Sequence, residues 1–143
     1  MRTRNWKTKL DGIQSAKRAH FCTSCMYQQP ETWGKSPCPR CETVGSRVYM
    51  KSEAELKRAA ELIIMQRAGQ ISGLRLQPRY DLTVEGVKIC TYVSDFEYRE
   101  AGKVIVEDVK PLKFMDGEAK LKIALFDALH KQHGMSVTLH KRS

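Results

Sequence analysis

Four of the five cysteines in this 143-residue chain fall into two pairs of equal spacing, Cys22-x-x-Cys25 and Cys38-x-x-Cys41. Two residues between cysteines allow both thiolates of a tight turn to face one point, so each pair supplies half of a tetrahedron. Proline and glycine in the twelve-residue segment between the pairs suit two knuckles joined by a loop or hairpin. The spacing therefore predicts a four-cysteine zinc ribbon over residues 20–45 with these cysteines as ligands.

Four thiolates close the coordination shell of zinc, so we expect the ion to be structural and not to activate water. A module of about 25 residues buries too little surface to fold unaided. Metal binding worth on the order of 10 kcal/mol would supply the missing stability. Two alternatives remain open from the sequence: an iron site of the rubredoxin type, and disulfides, which need an oxidising compartment. Cys90, the fifth cysteine, is expected to be a small buried apolar residue in a strand.

Basic residues outnumber acidic ones, with 25 Lys and Arg against 16 Asp and Glu and a net charge of +9. The excess lies near the N-terminus, since residues 1–50 contain 9 basic and 3 acidic side chains. A basic arm at residues 1–19 and a basic ribbon favour a polyanionic partner, most often nucleic acid. No apolar run approaches the roughly 18 residues of a membrane span, and the charged first 20 residues do not form a secretory signal. We expect no membrane association and a cytoplasmic location.

Residues 46–143 carry the pattern of one α/β domain. Ser52 and Glu55 have the Ser-x-x-Glu spacing of a capping box, and the helix that follows is expected to end before Gly69. The pattern then predicts strands at 74–84, 87–98 and 104–110, a helix at 117–133 and a strand at 136–139. A continuous apolar run in the third strand indicates a central position in the sheet. The predicted order is α-β-β-β-α-β.

Two carboxylates and one lysine are predicted to meet at the ends of the second and third strands. Asp108 and Lys110 are two residues apart on a strand, so their side chains are expected on the same face. If the two strands pair through the turn at 99–102, Asp95 approaches that face. Two carboxylates within reach of one point form a site for a hard divalent cation such as Mg²⁺, or Mn²⁺ in its place. The lysine would then polarise a nucleophilic water or stabilise a charged transition state.

Glu55 is a third acidic candidate with two interpretations. As the glutamate of the capping box it would bind the backbone amide of Ser52. At helical spacing it also lies above Ala59 and Ile63, on the apolar stripe of the helix. A lone carboxylate on such a stripe is costly, which favours a role as a metal ligand or site residue over a role as a cap alone.

The element order, with Asp95 followed by Asp108-Val109-Lys110, resembles the PD-(D/E)xK nuclease superfamily. Its fold is a restriction-endonuclease-like α/β core with a mixed sheet. More narrowly, residues 48–140 are similar to a family of small phage and prophage proteins of this class. The resemblance rests on four segments, at 52–55, 74–80, 92–96 and 106–110. Asp-x-Lys alone occurs by chance in many proteins, whereas four segments in order on the expected elements form a specific pattern.

The resemblance implies a division of roles among four residues. Asp95 and Asp108 would bind Mg²⁺, Glu55 would contribute from the first helix, and Lys110 would orient the hydrolytic water. It also implies a homodimer that cuts both strands of DNA, and the cytoplasm of a host cell as the location if the protein is phage-encoded.

The matching segments depart from the motif of the superfamily at two positions. Ser94 stands where the superfamily usually has the proline of its name. Glu107 adjoins Asp108 and is a second candidate for the acid of the motif. Because Glu107 is three residues from Lys110, it should point to the opposite face of the strand, so we assign the role to Asp108.

Four further side chains are candidates for contact with DNA. Gln77 lies in a matching segment, Lys120 and Lys122 lie on the helix that flanks the site in the superfamily, and Arg40 belongs to the basic ribbon. Each has a simpler interpretation, as a polar strand residue on the solvent face or as a solubilising surface charge.

The sequence as a whole predicts a Mg²⁺-dependent DNA endonuclease with a structural zinc ribbon. The expected reaction is phosphodiester hydrolysis, and branched DNA of the Holliday-junction type is the leading substrate, since related small phage enzymes act as resolvases. Two alternatives remain: a catalytically idle DNA-binding module, and an adaptor that uses the ribbon to dock on a protein partner.

Overall fold

The computed structural model describes residues 18–110 and 116–141, with only the backbone of Lys110, His140 and Lys141. All but the last two residues of the predicted basic arm lie outside this part of the chain. The chain divides into two compact units, Met1–Ala60 and Glu61–Ser143. In the ranges described, no helix combines the length and the apolar character that crossing a membrane requires.

The described part of the first unit contains a three-stranded antiparallel sheet. Its strands, in spatial order β2-β1-β3, are β1 (Ala19–Cys22), β2 (Gln28–Gln29) and β3 (Arg47–Met50). His20 lies opposite both Gln29 and Tyr49, while Phe21 and Met50 on the other face are buried. Strand β3, which was predicted to belong to the body at 46–143, thus pairs with the whole of β1.

The first helix, α1 (Glu53–Arg67), begins at the predicted capping box. The Ser52 hydroxyl accepts a hydrogen bond from the Glu55 backbone N–H at 3.2 Å. The helix ends before Gly69, which has a φ of +77°, a conformation that glycine adopts without steric cost. Its buried side chains are Leu56, Ala59, Leu62 and Ile63.

Five strands lie between the two helices, where the sequence predicted three. They are β4 (Ser72–Leu76), β5 (Arg79–Val84), β6 (Val87–Val93), β7 (Phe96–Glu100) and β8 (Lys103–Lys110). The first predicted strand breaks because Gln77 has a φ of +54° and Pro78 follows it with no N–H to donate. The second breaks at Ser94 and Asp95.

The strands of the second unit form a four-stranded mixed sheet and a separate hairpin. The sheet has the order β4-β7-β8-β9, and β5 pairs with β6. Strands β4, β7 and β8 are antiparallel neighbours. The last strand, β9 (Val137–Lys141), is parallel to β8 and follows helix α2 (Gly117–His130) and a 3-10 turn (Lys131–His133). Strand β8 is central, as predicted.

The core of this unit lies under helix α2. Leu82, Tyr92, Val106 and Phe126 form its buried cluster, and α2 packs against β5, β6 and β9. Phe126 is fully buried, and its ring lies 5.5 Å from that of Tyr92, centroid to centroid. The hairpin therefore brings Tyr92 beside the central strand of the sheet, where the candidate acidic residues lie.

Candidate functional sites

The four paired cysteines converge on one point. The sulfur atoms of Cys22 and Cys41 are 3.7 Å apart, as are those of Cys25 and Cys38, and all four lie within 4.8 Å of one another. Four sulfurs at about 2.3 Å from a tetrahedral ion would be about 3.8 Å apart. The cysteines are free thiols in this structure, and the sulfur atoms in these two contacts are farther apart than the roughly 2.05 Å of a disulfide bond. The donor set can hold a structural metal such as zinc.

Hydroxyl groups lie beside two of these sulfur atoms. The Oγ of buried Ser46 lies 3.0 Å from Cys22 Sγ, and Thr43 Oγ1 lies 3.2 Å from Cys41 Sγ. Hydrogen bonds with the side chain and backbone of Thr43 lower the pKa of the Cys41 thiol to about 6. Because the thiolate is the form that binds metal, this shift favours metal binding at Cys41.

Asp95 and Asp108 are bound to each other through the backbone. The Asp95 N–H donates to Asp108 Oδ1 at 2.9 Å, and the Val109 N–H donates to Asp95 Oδ2 at 2.7 Å. Each carboxylate therefore accepts a hydrogen bond from the backbone of the segment that carries the other carboxylate. This reciprocal arrangement brings the two carboxylates near each other, where β6 ends and β7 begins.

Asp108 is buried and is held at both oxygen atoms. Oδ1 accepts from Asp95, and Oδ2 accepts from the Tyr92 phenol at 2.5 Å. Burial, then the hydrogen bond to Asp108 and the charges of Asp108 and Asp95, raise the pKa of Tyr92 well above its usual value. The phenol therefore stays protonated and donates a hydrogen bond to the buried carboxylate of Asp108. Each carboxylate oxygen has a second lone pair with which it can bind a cation.

The aspartate pair offers two carboxylates that could hold a hard cation. Among the residues that the structure describes, the four cysteines are the one group of at least three His, Cys, Asp or Glu side chains whose ligand atoms lie close enough together to hold a metal ion. Lys110 is the last residue of β8, two positions after Asp108, and its side chain lies outside the described part. Oxygen ligands suit Mg²⁺, which keeps several waters and commonly uses only one or two protein carboxylates.

Glu107 makes a separate buried contact. Its Oε2 accepts a hydrogen bond from the Tyr98 phenol at 2.6 Å, and both side chains are buried. Glu107 is opposite Phe96 in the pairing of β7 and β8, so it shares a face with Phe96 and Tyr98 and not with Asp108. The alternation expected from the sequence is thus present at this pair of acids.

Glu55 has a local role at the start of α1. Its Oε2 accepts a hydrogen bond from the Lys51 backbone N–H at 3.1 Å, and its own N–H is bound by Ser52. These two contacts complete a reciprocal cap, with the Lys51 amide in place of the expected Ser52 amide. Metal ligation by Glu55 remains a prediction.

The four predicted DNA contacts lie in different settings. Gln77 is half-buried at the break between β4 and β5, and its N–H donates to the Asp95 carbonyl at 2.8 Å. Lys120 is exposed on α2, and Lys122 pairs with Glu118 at 2.9 Å. Arg40 is exposed on the loop between the second pair of cysteines. Gln77 thus helps to position the backbone at Asp95.

Sequence reasoning missed the phenols. Tyr92 bonds to Asp108, Tyr98 bonds to Glu107, and the Tyr80 phenol donates to Glu97. The alternation of β6 places Tyr92 on the inner face. The carboxylate that it meets depends, however, on how the hairpin packs against β8. No local signal in the sequence specifies that packing.

One family model matches the chain, over residues 43–141, and its description is "Protein of unknown function (DUF1064)". The match begins two residues after Cys41 and includes α1, the mixed sheet and the aspartate pair. Neither a curated protein nor a solved structure shows significant similarity to the chain. Because the match covers more than half of the sequence, the protein belongs to the DUF1064 family.

Proposed function

We propose that the protein is a metal-dependent DNA endonuclease that hydrolyses phosphodiester bonds. The observation that carries this proposal is the reciprocal bonding of Asp95 and Asp108. Two carboxylates so close together repel each other when both are ionised, and a divalent cation between them relieves that repulsion. The resemblance to the PD-(D/E)xK superfamily supplies the reaction class, with Lys110 two residues after Asp108.

In this proposal each residue acts through its own chemistry. Asp95 and Asp108 hold Mg²⁺ or Mn²⁺, which when bound supplies a Lewis acid to the scissile phosphate. Lys110 lies at the end of the same strand and orients the attacking water, with its positive charge stabilising the developing anion.

The remaining parts of the proposal concern the ribbon and the substrate. The ion at the four cysteines is zinc, and it is structural because four thiolates leave no open position. The basic charge of residues 1–50 supports DNA as the partner. Branched DNA is the substrate class that we put first, and a homodimer is the assembly that would cut both strands.

The proposal is tested by incubating the zinc-loaded protein with duplex, nicked and four-way DNA, with and without Mg²⁺ or Mn²⁺. Asp108→Asn keeps the shape of the side chain, since an amide oxygen can accept from Asp95 and the amide nitrogen can donate to the Tyr92 hydroxyl. We expect this variant to bind DNA and to lose metal-dependent cleavage by at least about 100-fold. The matched control is Asp81→Asn, an exposed aspartate on β5, which should cut normally.

A non-catalytic zinc-ribbon module is the second candidate. The observation in its favour is that the four cysteines alone, among the described residues, form a group with a complete metal-ligand set. DNA binding without cleavage under any divalent ion would favour this candidate and reject the nuclease. Absence of both binding and cleavage would favour a protein adaptor.

A further inference from the structure

Tyr92 lies at the junction between the hairpin and the acidic pair. Its side chain is 4% exposed and packs between Tyr80, at a centroid distance of 6.2 Å, and Phe126. The packing leaves the phenol oxygen directed at Asp108 Oδ2, 2.5 Å away. An aromatic ring fixed on both sides has little freedom to move its hydroxyl, so the donor is preorganised.

A buried carboxylate needs hydrogen-bond donors in place of water, and Asp108 is 1% exposed. One donor, the Asp95 N–H, comes from the chain segment that also carries the second carboxylate. The other donor is Tyr92, on a strand of the separate hairpin. Together they fix the rotation of the Asp108 carboxylate about its Cβ–Cγ bond, because each oxygen has its own partner.

We propose that Tyr92 is a positioning residue of the metal site, which orients Asp108 so that its remaining lone pairs face the cation. The inference rests on the proposed function, since it takes Asp108 as a metal ligand. Partners of this kind, which bind a ligand and not the ion, typically affect metal affinity about 10- to 100-fold. Tyr92 has no contact with substrate in this role and acts through Asp108.

The chain contains a matched internal control. Tyr98 is also 4% exposed, and it donates at 2.6 Å to Glu107, which is 1% exposed. The two phenol–carboxylate pairs therefore have nearly the same burial and geometry, but Glu107 points away from the face that carries Asp108. Loss of either hydroxyl removes one buried hydrogen bond, and only loss of the Tyr92 hydroxyl should alter metal binding.

The experiment compares Tyr92→Phe with Tyr98→Phe in the full-length, zinc-loaded protein. Mn²⁺ affinity is measured from the electron paramagnetic resonance signal of the free ion, and folding is followed by circular dichroism and the melting temperature. We expect Tyr92→Phe to weaken Mn²⁺ binding about 10- to 100-fold, and Tyr98→Phe to stay within about twofold of the wild type. Cleavage by Tyr92→Phe should recover at saturating Mn²⁺, because the variant loses orientation of a ligand and not the ligand.

Equal Mn²⁺ affinities for Tyr92→Phe and the wild type would overturn the inference while leaving the nuclease proposal intact. A wild-type protein that neither binds Mn²⁺ nor cuts DNA would overturn both. If Tyr92→Phe does not fold, the wild type is titrated with Mg²⁺ and followed by ¹³C NMR of labelled tyrosine. The Cζ resonance of Tyr92 should shift and that of Tyr98 should not, and an unmoved Tyr92 resonance would reject the inference.

Discussion

Asp108 and Glu107 are neighbours in β8, and each accepts a hydrogen bond from a buried phenol. The difference between them lies in the next contact. Asp108 also accepts from the Asp95 N–H and thereby lies beside a second carboxylate, whereas Glu107 faces the opposite side of the sheet. Proximity to another anion, and not burial alone, makes Asp108 the candidate cation ligand.

Glu107→Gln separates these two acids by experiment. The amide oxygen of glutamine can still accept from Tyr98, so we expect the free energy of unfolding to change by less than about 2 kcal/mol. Mn²⁺ affinity and DNA cleavage should remain close to the wild-type values. The measurement is urea unfolding together with Mn²⁺ titration. Loss of Mn²⁺ binding in this variant would show that the acid of the motif is Glu107 and that our assignment is wrong.

At the residue scale, the sequence predicts which acids meet but not what supports them. Asp95 and Asp108 lie on either side of the turn that joins β7 to β8. Formation of this one hairpin brings them together, so their proximity depends on residues that are close in the sequence. Tyr92 belongs to β6, which pairs with β5 and not with that sheet. Its contact with Asp108 depends on packing between elements, which residue spacing does not encode.

Elements with strong local signals lie close to their predicted bounds. Helix α1 begins after Ser52, whose side chain bonds to Glu55, and it ends before Gly69 as expected. The strand predicted at 74–84 is interrupted at Gln77, which has a positive φ. A residue other than glycine rarely adopts this conformation, and here contacts outside the strand stabilise it. The N–H of Gln77 donates to the Asp95 carbonyl, so the break and the acidic site are parts of one arrangement.

Helix α2 has a cap that the sequence pattern did not identify. Asp116 Oδ1 accepts a hydrogen bond from the Ala119 N–H at 2.7 Å, and the side chain is exposed. We expect Asp116→Ala to lower the free energy of unfolding by about 1 kcal/mol, because it leaves that amide without its partner. Asp116→Asn is the control, since its amide oxygen can still cap the helix. Urea unfolding of the two variants is the measurement, and equal stabilities would contradict the assigned cap.

Across the whole molecule, the excess of positive charge and the four-cysteine cluster lie mainly in the N-terminal part of the chain. The net charge of +9 counts neutral cysteines, and a divalent ion held by four thiolates would lower it by about two. Strands β1, β2 and β3 contain few buried apolar residues, namely Ala19, Phe21, Cys22 and Met50. Their stability should therefore depend on the metal.

Removal of the metal should unfold the sheet β2-β1-β3 and spare the mixed sheet. Ligation contributes on the order of 10 kcal/mol in small modules of this kind. A strong chelator should release one ion per chain, expose the four cysteine thiols to a colorimetric reagent, and abolish amide protection in β1 and β3. Amides of β7 and β8 serve as the internal control and should stay protected. Retention of protection in β1 after complete metal release would contradict a structural role for the ion.

The basic charge predicts how DNA affinity responds to salt. Each phosphate that the protein neutralises releases counterions. The logarithm of the binding constant therefore falls linearly with the logarithm of the salt concentration, and the slope is about −0.9 per phosphate contact. Residues 1–50 contain 9 basic and 3 acidic side chains, and we expect a slope of about −4 to −6 for duplex DNA.

Arg40→Gln should reduce the magnitude of that slope by about one if this exposed residue contacts a phosphate. The control is Lys88→Gln, because Lys88 is paired with Asp81 at 3.2 Å on the hairpin and is not among the predicted contacts. Fluorescence anisotropy over a salt series gives both slopes. An affinity that does not change with salt would remove the electrostatic argument for a nucleic-acid partner, because phosphate neutralisation cannot then be the source of binding.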